Sequence, residues 1–258
     1  MTRRLAMVLC GWSAMGTSLA LFAADAPQEK GPKQSFELTT TGRVPFQPGG
    51  AILVERSYGY LTVEGWDAPE VEVTVIKSTD RFYDPAGKQK AEDRLQQVRV
   101  TDERRSDKEV EISTALPART GLVHPLGRIM VIRSLLPRNT RGVTVEYRVH
   151  VPRDSRLEVH HDHGYVWVSG MTGDIQVNSY TGDMIVMLAD AGAYSIDART
   201  RLGRVASDFT GNGKTLGQFL LGNRFAYGTP SGARQIYLRM GRGSITIKKA
   251  ADWEKTTD

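Results

Sequence analysis

The sequence predicts an all-β fold, a β-solenoid-like stack of short strands with one short helix, and an antiparallel β-sandwich is the alternative. Three observations lead to this fold class. Apolar and polar residues alternate over many short segments, a twelve-residue pattern recurs at an offset of 105 positions, and glycines follow one another at intervals of 9 to 11 residues. Turn spacing does not settle strand direction, so both arrangements stay open.

The alternation is clearest in segments 71–75, 110–112 and 143–149, which read Val-Glu-Val-Thr-Val, Val-Glu-Ile and Val-Thr-Val-Glu-Tyr-Arg-Val. A period of two puts every second side chain on the same face of an extended chain. These segments are therefore predicted to be strands with one buried and one solvated face.

The internal repeat joins two distant parts of the chain. Segment 54–65, Val-Glu-Arg-Ser-Tyr-Gly-Tyr-Leu-Thr-Val-Glu-Gly, aligns without gaps with segment 159–170, Val-His-His-Asp-His-Gly-Tyr-Val-Trp-Val-Ser-Gly. Segment 238–247 is a looser third copy. Such self-similarity is typical of stacked repeat architectures.

A smaller unit recurs between the second and third copies, beginning at Gly173, Gly182, Gly192 and Gly203. One strand of about five residues and one tight corner account for this spacing, because glycine can take the positive φ of a corner. Two units would make a coil of about 20 residues. The apolar residues of these units are predicted to point inward: Ile175, Val177, Met184, Val186, Ile196 and Val205.

Two segments interrupt the strands. In segment 86–98, Ala91, Leu95 and Val98 follow helical spacing among charged residues, which predicts a short amphipathic helix starting near Asp84-Pro85. Segment 116–141 holds three prolines and two glycines and is predicted to be an insertion.

The N-terminal sequence predicts that the protein is exported. Residues 1–26 combine a basic start with an uncharged, largely apolar run and are predicted to be a cleaved signal peptide. Residues 27–35 are predicted to be a flexible leader, 36–249 a single β-repeat domain, and 250–258 a C-terminal tail. Cys10 is the only cysteine, so the mature chain would hold no thiol and no disulfide. The protein is expected to be periplasmic, cell-surface or secreted, without a transmembrane helix after signal cleavage.

The formal net charge is +5, and arginines cluster in segment 119–141 and again at Arg199, Arg201 and Arg204. Such clusters suit an anionic polysaccharide or lipid surface of the cell envelope, although a solvated charged face is the simpler interpretation. A nucleic-acid partner is not expected, because the basic and aromatic pattern of such proteins is lacking.

One histidine cluster could carry chemistry. Segment 160–163 reads His-His-Asp-His, and strand alternation would place His161 and His163 on one face, where a divalent metal such as zinc could bind them with Asp162. The first repeat has Glu-Arg-Ser-Tyr at these positions, so a solvated turn is the alternative. No other cofactor and no catalytic residue is predicted, since there is no nucleophile elbow.

Aromatic side chains offer a candidate binding surface. Tyr60 and Tyr165 directly follow the repeat glycines, and Trp167 lies between Val166 and Val168. If the two valines face the core, the indole faces outward and could stack on a sugar ring or a partner protein. Covering of this face by other parts of the chain is the alternative.

The order of these motifs resembles the bacterial DUF4097 family, an adhesin-like β-strand repeat domain. The similarity lies in segments 58–66, 145–152 and 241–247 and in the Gly-Asp units, and it spans most of residues 50–249. It implies a right-handed β-solenoid-like domain in an exported or envelope protein without assigned enzymatic activity. The insertion 116–141 and the histidine cluster depart from the family pattern.

Three functional hypotheses follow. The first is an exported, non-enzymatic envelope or surface protein whose β-repeat scaffold serves as a structural or adhesin-like interaction domain. The second is a periplasmic carbohydrate-binding or polysaccharide-processing protein. The third is metal binding at the histidine cluster.

Overall fold

The computed structural model describes residues 35–80, 83, 85–116, 142–189, 193–209, 214–218, 222–228 and 234–250. The predicted signal peptide, residues 27–34 of the leader, residues 117–141 of the insertion and residues 251–258 of the tail lie outside these ranges. Within them, no helix is both long and apolar enough to cross a membrane.

Twelve strands and one α-helix make up the described chain, which confirms the all-β prediction with one short helix. The strands are β1 (Glu37–Pro45), β2 (Ala51–Trp66), β3 (Glu70–Thr79), β4 (Arg99–Ser106), β5 (Glu109–Ala115), β6 (Val143–Pro152), β7 (Arg156–Ser169), β8 (Ile175–Leu188), β9 (Tyr194–Ser207), β10 (Lys214–Gln218), β11 (Gly222–Tyr227) and β12 (Arg234–Lys249), and the helix is α1 (Lys88–Gln96).

The strands form one open sheet in the order β1-β3-β6-β2-β7-β8-β12-β9-β11-β10, with β5 on β2 and β4 on β5. The central strands from β6 to β9 pair in parallel, whereas the outer pairs are antiparallel. The antiparallel sandwich is therefore wrong for the centre of the fold. In addition, β12 lies between β8 and β9, so these two strands follow one another in the chain but are not neighbours in the sheet.

The sequence repeat is also the pairing register. Strands β2 and β7 pair Ile52 with Leu157 and Gly59 with Gly164, each 105 positions apart. Repeating side chains thus stack on one another in adjacent strands. The next pair, β7 and β8, matches Leu157 with Ile175, 18 positions further on, close to the predicted coil length.

Each long central strand consists of two arms that meet at a glycine. In β2, Ile52 and Val54 are buried before Gly59, and Leu61 and Val63 are buried after it. The parity of the buried positions changes at the glycine, so both arms keep an apolar face toward the core. All six side chains predicted to point inward are buried, with at most 5% of their surface exposed.

Helix α1 confirms the predicted helix, with Ala91 and Leu95 buried. Its start differs from the prediction. A 3-10 turn over Pro85–Gly87 leads into it, and the N-cap is Gly87, which makes no side-chain capping bond.

Candidate functional site

Five glycines form a ladder where the arms of the central strands meet. Gly59, Gly164, Gly182, Gly243 and Gly203 lie opposite one another in β2, β7, β8, β12 and β9. All five have positive φ, from 87° to 144°. A Cβ on any of them would collide with a carbonyl oxygen of the neighbouring strand. Only glycine satisfies both the dihedral and the spacing, so the corner is bare backbone.

An open groove of about 540 Å³ lies on this corner. The glycines provide part of its lining, and side chains from four strands and from the residue after β3 provide the rest. The lining residues are Tyr58, Gly59, Tyr60, Asp80, Val143, Thr144, His163, Gly164, Tyr165, Gly182 and Asp183.

Two tyrosines from the candidate binding surface meet in the groove. Tyr60 and Tyr165 are paired across β2 and β7, directly after the ladder glycines. The Tyr60 side chain is 56% exposed, and Tyr165 is half-buried. Burial and the nearby Asp183 carboxylate raise the pKa of Tyr165, so its hydroxyl stays protonated at neutral pH.

Two carboxylates in the groove are held by neighbouring strands. Asp183 Oδ1 accepts hydrogen bonds from the backbone N–H and the hydroxyl of Ser244, at 3.2 and 2.6 Å. Asp80 Oδ1 accepts a bond of 2.5 Å from the Thr144 hydroxyl. Each carboxylate has a second oxygen, so the groove combines aromatic rings with pre-oriented hydrogen-bond acceptors.

The histidine cluster is divided between three environments. His161 is buried, His163 lines the groove and stacks on Tyr58 at 5.6 Å between ring centroids, and His160 lies 3.2 Å from the Glu158 carboxylate. The solvated turn is wrong, because β7 runs through all of these residues. Among the residues described, no group of three or more His, Cys, Asp or Glu side chains is placed to hold a metal. The site at His161, Asp162 and His163 stays a prediction.

The fold brings a serine against His161, which sequence analysis missed. Ser57 Oγ lies 2.9 Å from His161 Nδ1, and the two side chains are 0% and 3% exposed. The sequence repeat aligns Ser57 with Asp162, but a bulge at Arg56, whose φ is 56°, shifts the register by one residue. A serine and a histidine at this distance can form a nucleophile and base pair, but here both are enclosed in the core and no substrate can reach them.

Burial also sets the charge of His161. Desolvation, together with the neighbouring His163, lowers the pKa of His161 to about 4, so its ring is neutral at neutral pH. Its Nε2 atom is buried and has no hydrogen-bond partner within the described parts of the chain. The residues that occupy the same corner position in the other strands are Ser57, Ser179, Met240 and Thr200.

Trp167 lies outside the groove. Val166 and Val168 are fully buried, and Trp167 between them is half-buried on the other face of β7. Of the three aromatic residues in the candidate binding surface, the structure therefore brings Tyr60 and Tyr165 together and leaves Trp167 apart.

No family model matches the chain, and no curated protein matches it. Among solved structures, a putative cell adhesion protein from Clostridium sporogenes is similar at 13% identity and a TM-score of 0.47, over 84% of this chain and 100% of that one. A putative adhesin from Parabacteroides distasonis is similar at 11% identity and a TM-score of 0.25, over 82% of this chain and 65% of that one. A putative adhesin from Bacteroides fragilis is similar at 10% identity and a TM-score of 0.29, over 82% and 97%.

Proposed function

We propose that this protein is an exported, non-enzymatic, adhesin-like binding domain of the bacterial envelope or surface, and that its corner groove binds a carbohydrate. The observation that carries the proposal is the placement of Tyr60 and Tyr165 side by side on a glycine-lined corner, with Asp80 and Asp183 in the same groove.

A pyranose ring matches these groups chemically. Its C–H faces are apolar and pack on aromatic rings, while its hydroxyls need hydrogen-bond acceptors. Tyr60 and Tyr165 supply ring surface, and Asp80 and Asp183 supply carboxylate oxygens whose positions are set by Thr144 and Ser244. Because Tyr60, Tyr165 and Asp183 lie on paired strands and Asp80 directly follows one, little ordering is needed when a ligand binds.

Two features support binding without catalysis. The groove carboxylates already accept hydrogen bonds from adjacent strands, so they are built into the strand pairing. The one serine and histidine pair described above, Ser57 and His161, is buried away from the groove surface.

The proposed export depends on the N-terminal sequence and on the resemblance to DUF4097. A cleaved signal at residues 1–26 would remove the only cysteine and leave a chain that suits an oxidising compartment. N-terminal sequencing of the protein recovered from the periplasm or culture medium tests this. A protein that stays in the cytoplasm with Met1 in place contradicts export.

The groove is tested with purified protein on a glycan array, followed by calorimetric titration of the best glycan. Loss of two stacking rings, each contributing about 1 kcal/mol, predicts that the Tyr60→Ala, Tyr165→Ala double variant binds at least about tenfold more weakly. Tyr180→Ala is the matched control, because Tyr180 is 65% exposed but does not line the groove. The proposal that the groove binds a carbohydrate is refuted if no glycan binds, or if Tyr180→Ala loses as much affinity as the double variant.

A further inference from the structure

Three arginines lie side by side on the neighbouring strands β12, β9 and β11, near the β10 end of the sheet. Arg239 in β12 pairs with Arg199 in β9, and Arg199 pairs with Arg224 in β11. Adjacent strands are about 4.8 Å apart, so the three backbone positions span about 10 Å along a straight line. Leu238 and Ala198 beside them are buried, which places the arginine side chains on the outer face of the sheet.

One carboxylate holds all three guanidinium groups. Asp197 accepts bonds from Arg199 at 2.9 and 3.1 Å, from Arg224 at 3.3 Å and from Arg239 at 3.1 Å. Burial acts to raise the pKa of Asp197, but hydrogen bonds from Arg199 and Arg224 and the charge of Arg239 outweigh it and lower that pKa. The carboxylate is therefore ionised, and the cluster carries a net charge of about +2.

The excess charge is accessible. The side chains of Arg199, Arg224 and Arg239 are 45%, 42% and 21% exposed, and within the described ranges Asp197 is the only carboxylate that forms an ion pair with any of them. Three like charges around one carboxylate repel each other, and a bound anion would relieve that repulsion. Asp197 binds the Nε and Nη2 groups of Arg199 and Arg224, and no described residue accepts a bond from the Nη1 group of either, so these Nη1 groups can donate to sulfate or carboxylate oxygens. Arg239 Nη1 already donates to the backbone oxygens of Asp197 and Leu238, so Arg239 adds mainly its charge.

We infer that this arginine row, defined by Arg199, Arg224 and Arg239, binds an anionic polysaccharide that carries sulfate or carboxylate groups. Cations at paired positions on three successive strands match charges repeated along a polymer. A membrane surface would also attract arginines, but binding to it is strengthened by apolar side chains that insert. Of the neighbouring aromatic ring, Tyr237, one face is occupied by the Arg239 guanidinium at 3.4 Å from the ring centroid, and the residue as a whole is 42% exposed. The arginine row shares no residue with the corner groove, so either site can fail without the other.

Dextran sulfate, neutral dextran and vesicles of phosphatidylglycerol with phosphatidylcholine serve as probes for the full protein. Binding to dextran sulfate is expected, with none to neutral dextran, and the affinity should fall several-fold when salt is raised from about 50 to about 300 mM. The Arg199→Gln, Arg224→Gln double variant should bind at least about tenfold more weakly. The control, Arg148→Gln with Arg156→Gln, removes the same charge from β6 and β7 and should stay within about twofold.

Three results would overturn the inference: no binding of wild type to dextran sulfate, an equal loss in both double variants, or tighter binding to the vesicles than to dextran sulfate through the same arginines. Circular dichroism shows whether each variant is folded. If the double variant is unfolded, Arg199→Gln alone removes the most exposed of the three side chains and should weaken binding about threefold. Unchanged affinity in that folded single variant also overturns the inference.

Discussion

Replacing Gly182 by alanine tests whether the glycine ladder holds the corner together. Gly182 lies in the middle of the ladder with φ of 135°, and a Cβ there would collide with the carbonyl oxygen of Gly164 in the neighbouring parallel strand. Two separate costs follow, one from the dihedral angle and one from the collision.

The dihedral cost is about 1–3 kcal/mol for a non-glycine residue in this region. The collision is with backbone, so it cannot be relieved by a side-chain rotation. Strands β7 and β8 must separate locally, and each backbone hydrogen bond lost there costs about 1 kcal/mol more. With one or two hydrogen bonds lost, these effects together predict a loss of about 2–5 kcal/mol in the free energy of unfolding, a large share of the 5–15 kcal/mol typical of a folded domain.

Urea denaturation measures the free energy of unfolding of the wild type and of the variants Gly182→Ala and Gly49→Ala. Gly49 also has positive φ, 75°, but the nearest atom to its added Cβ is Asp154 Oδ2 at 3.8 Å. The control variant therefore has no collision and carries only the smaller dihedral cost of the left-handed region, about 1 kcal/mol. The free energies of unfolding of the two variants are compared at equal m-values. A difference of less than about 1 kcal/mol would show that the close approach of the strands is not the reason for glycine at the ladder.

Three further predictions concern the core. The pKa of His161 is about 4 in the folded protein against 6.5 ordinarily, so the unfolded chain takes up the proton first as pH falls. The contribution of His161 to the free energy of unfolding is complete above about pH 6.5, and it falls by about 3 kcal/mol as the pH is lowered toward 4. His161→Met should remove that part of the pH dependence in urea unfolding, and an unchanged slope would argue against a neutral buried ring. Leu61→Ala, at a site with 0% exposure, should cost about 2–5 kcal/mol, while Leu38→Ala, at 39% exposure, should change the melting temperature little; equal shifts would contradict the burial pattern. Tyr147→Phe removes a hydroxyl bonded to Thr114 at 2.8 Å and should cost about 1 kcal/mol in denaturant unfolding. Tyr58→Phe removes a buried hydroxyl with no partner among the described residues and should be neutral or stabilising, so a larger loss there than in Tyr147→Phe would be inconsistent with this assignment.

Much of the strand pattern could be predicted because alternation and repetition are local properties. Val71 and Val73 alternate with polar residues whatever they pack against, and the 105-residue repeat matched the pairing of Gly59 with Gly164. Repeating strands stack in register because each places its glycine and its apolar residues at the same height.

The candidate site was predicted only in part. Tyr60 and Tyr165 could be found because they follow equivalent glycines in the repeat. Asp80 could not, because it lies outside every repeat and reaches the groove only through the pairing of β3 with β6. Asp183 directly follows the repeat glycine Gly182, but its place beside Tyr165 depends on the pairing of β7 with β8.

The sequence by itself determined the strands, the glycine corners and the inward side chains, since these depend on periodicity and on the conformational freedom of glycine. The tertiary structure alone decided the parallel direction of the central strands, the place of β12 between β8 and β9, and the contact between Ser57 and His161. The physical reason is that all three depend on which strand edges meet. An edge offers the same N–H and C=O groups whatever its side chains, so the choice of neighbour is made by packing of the whole sheet, and a single bulge at Arg56 is enough to exchange one partner for another.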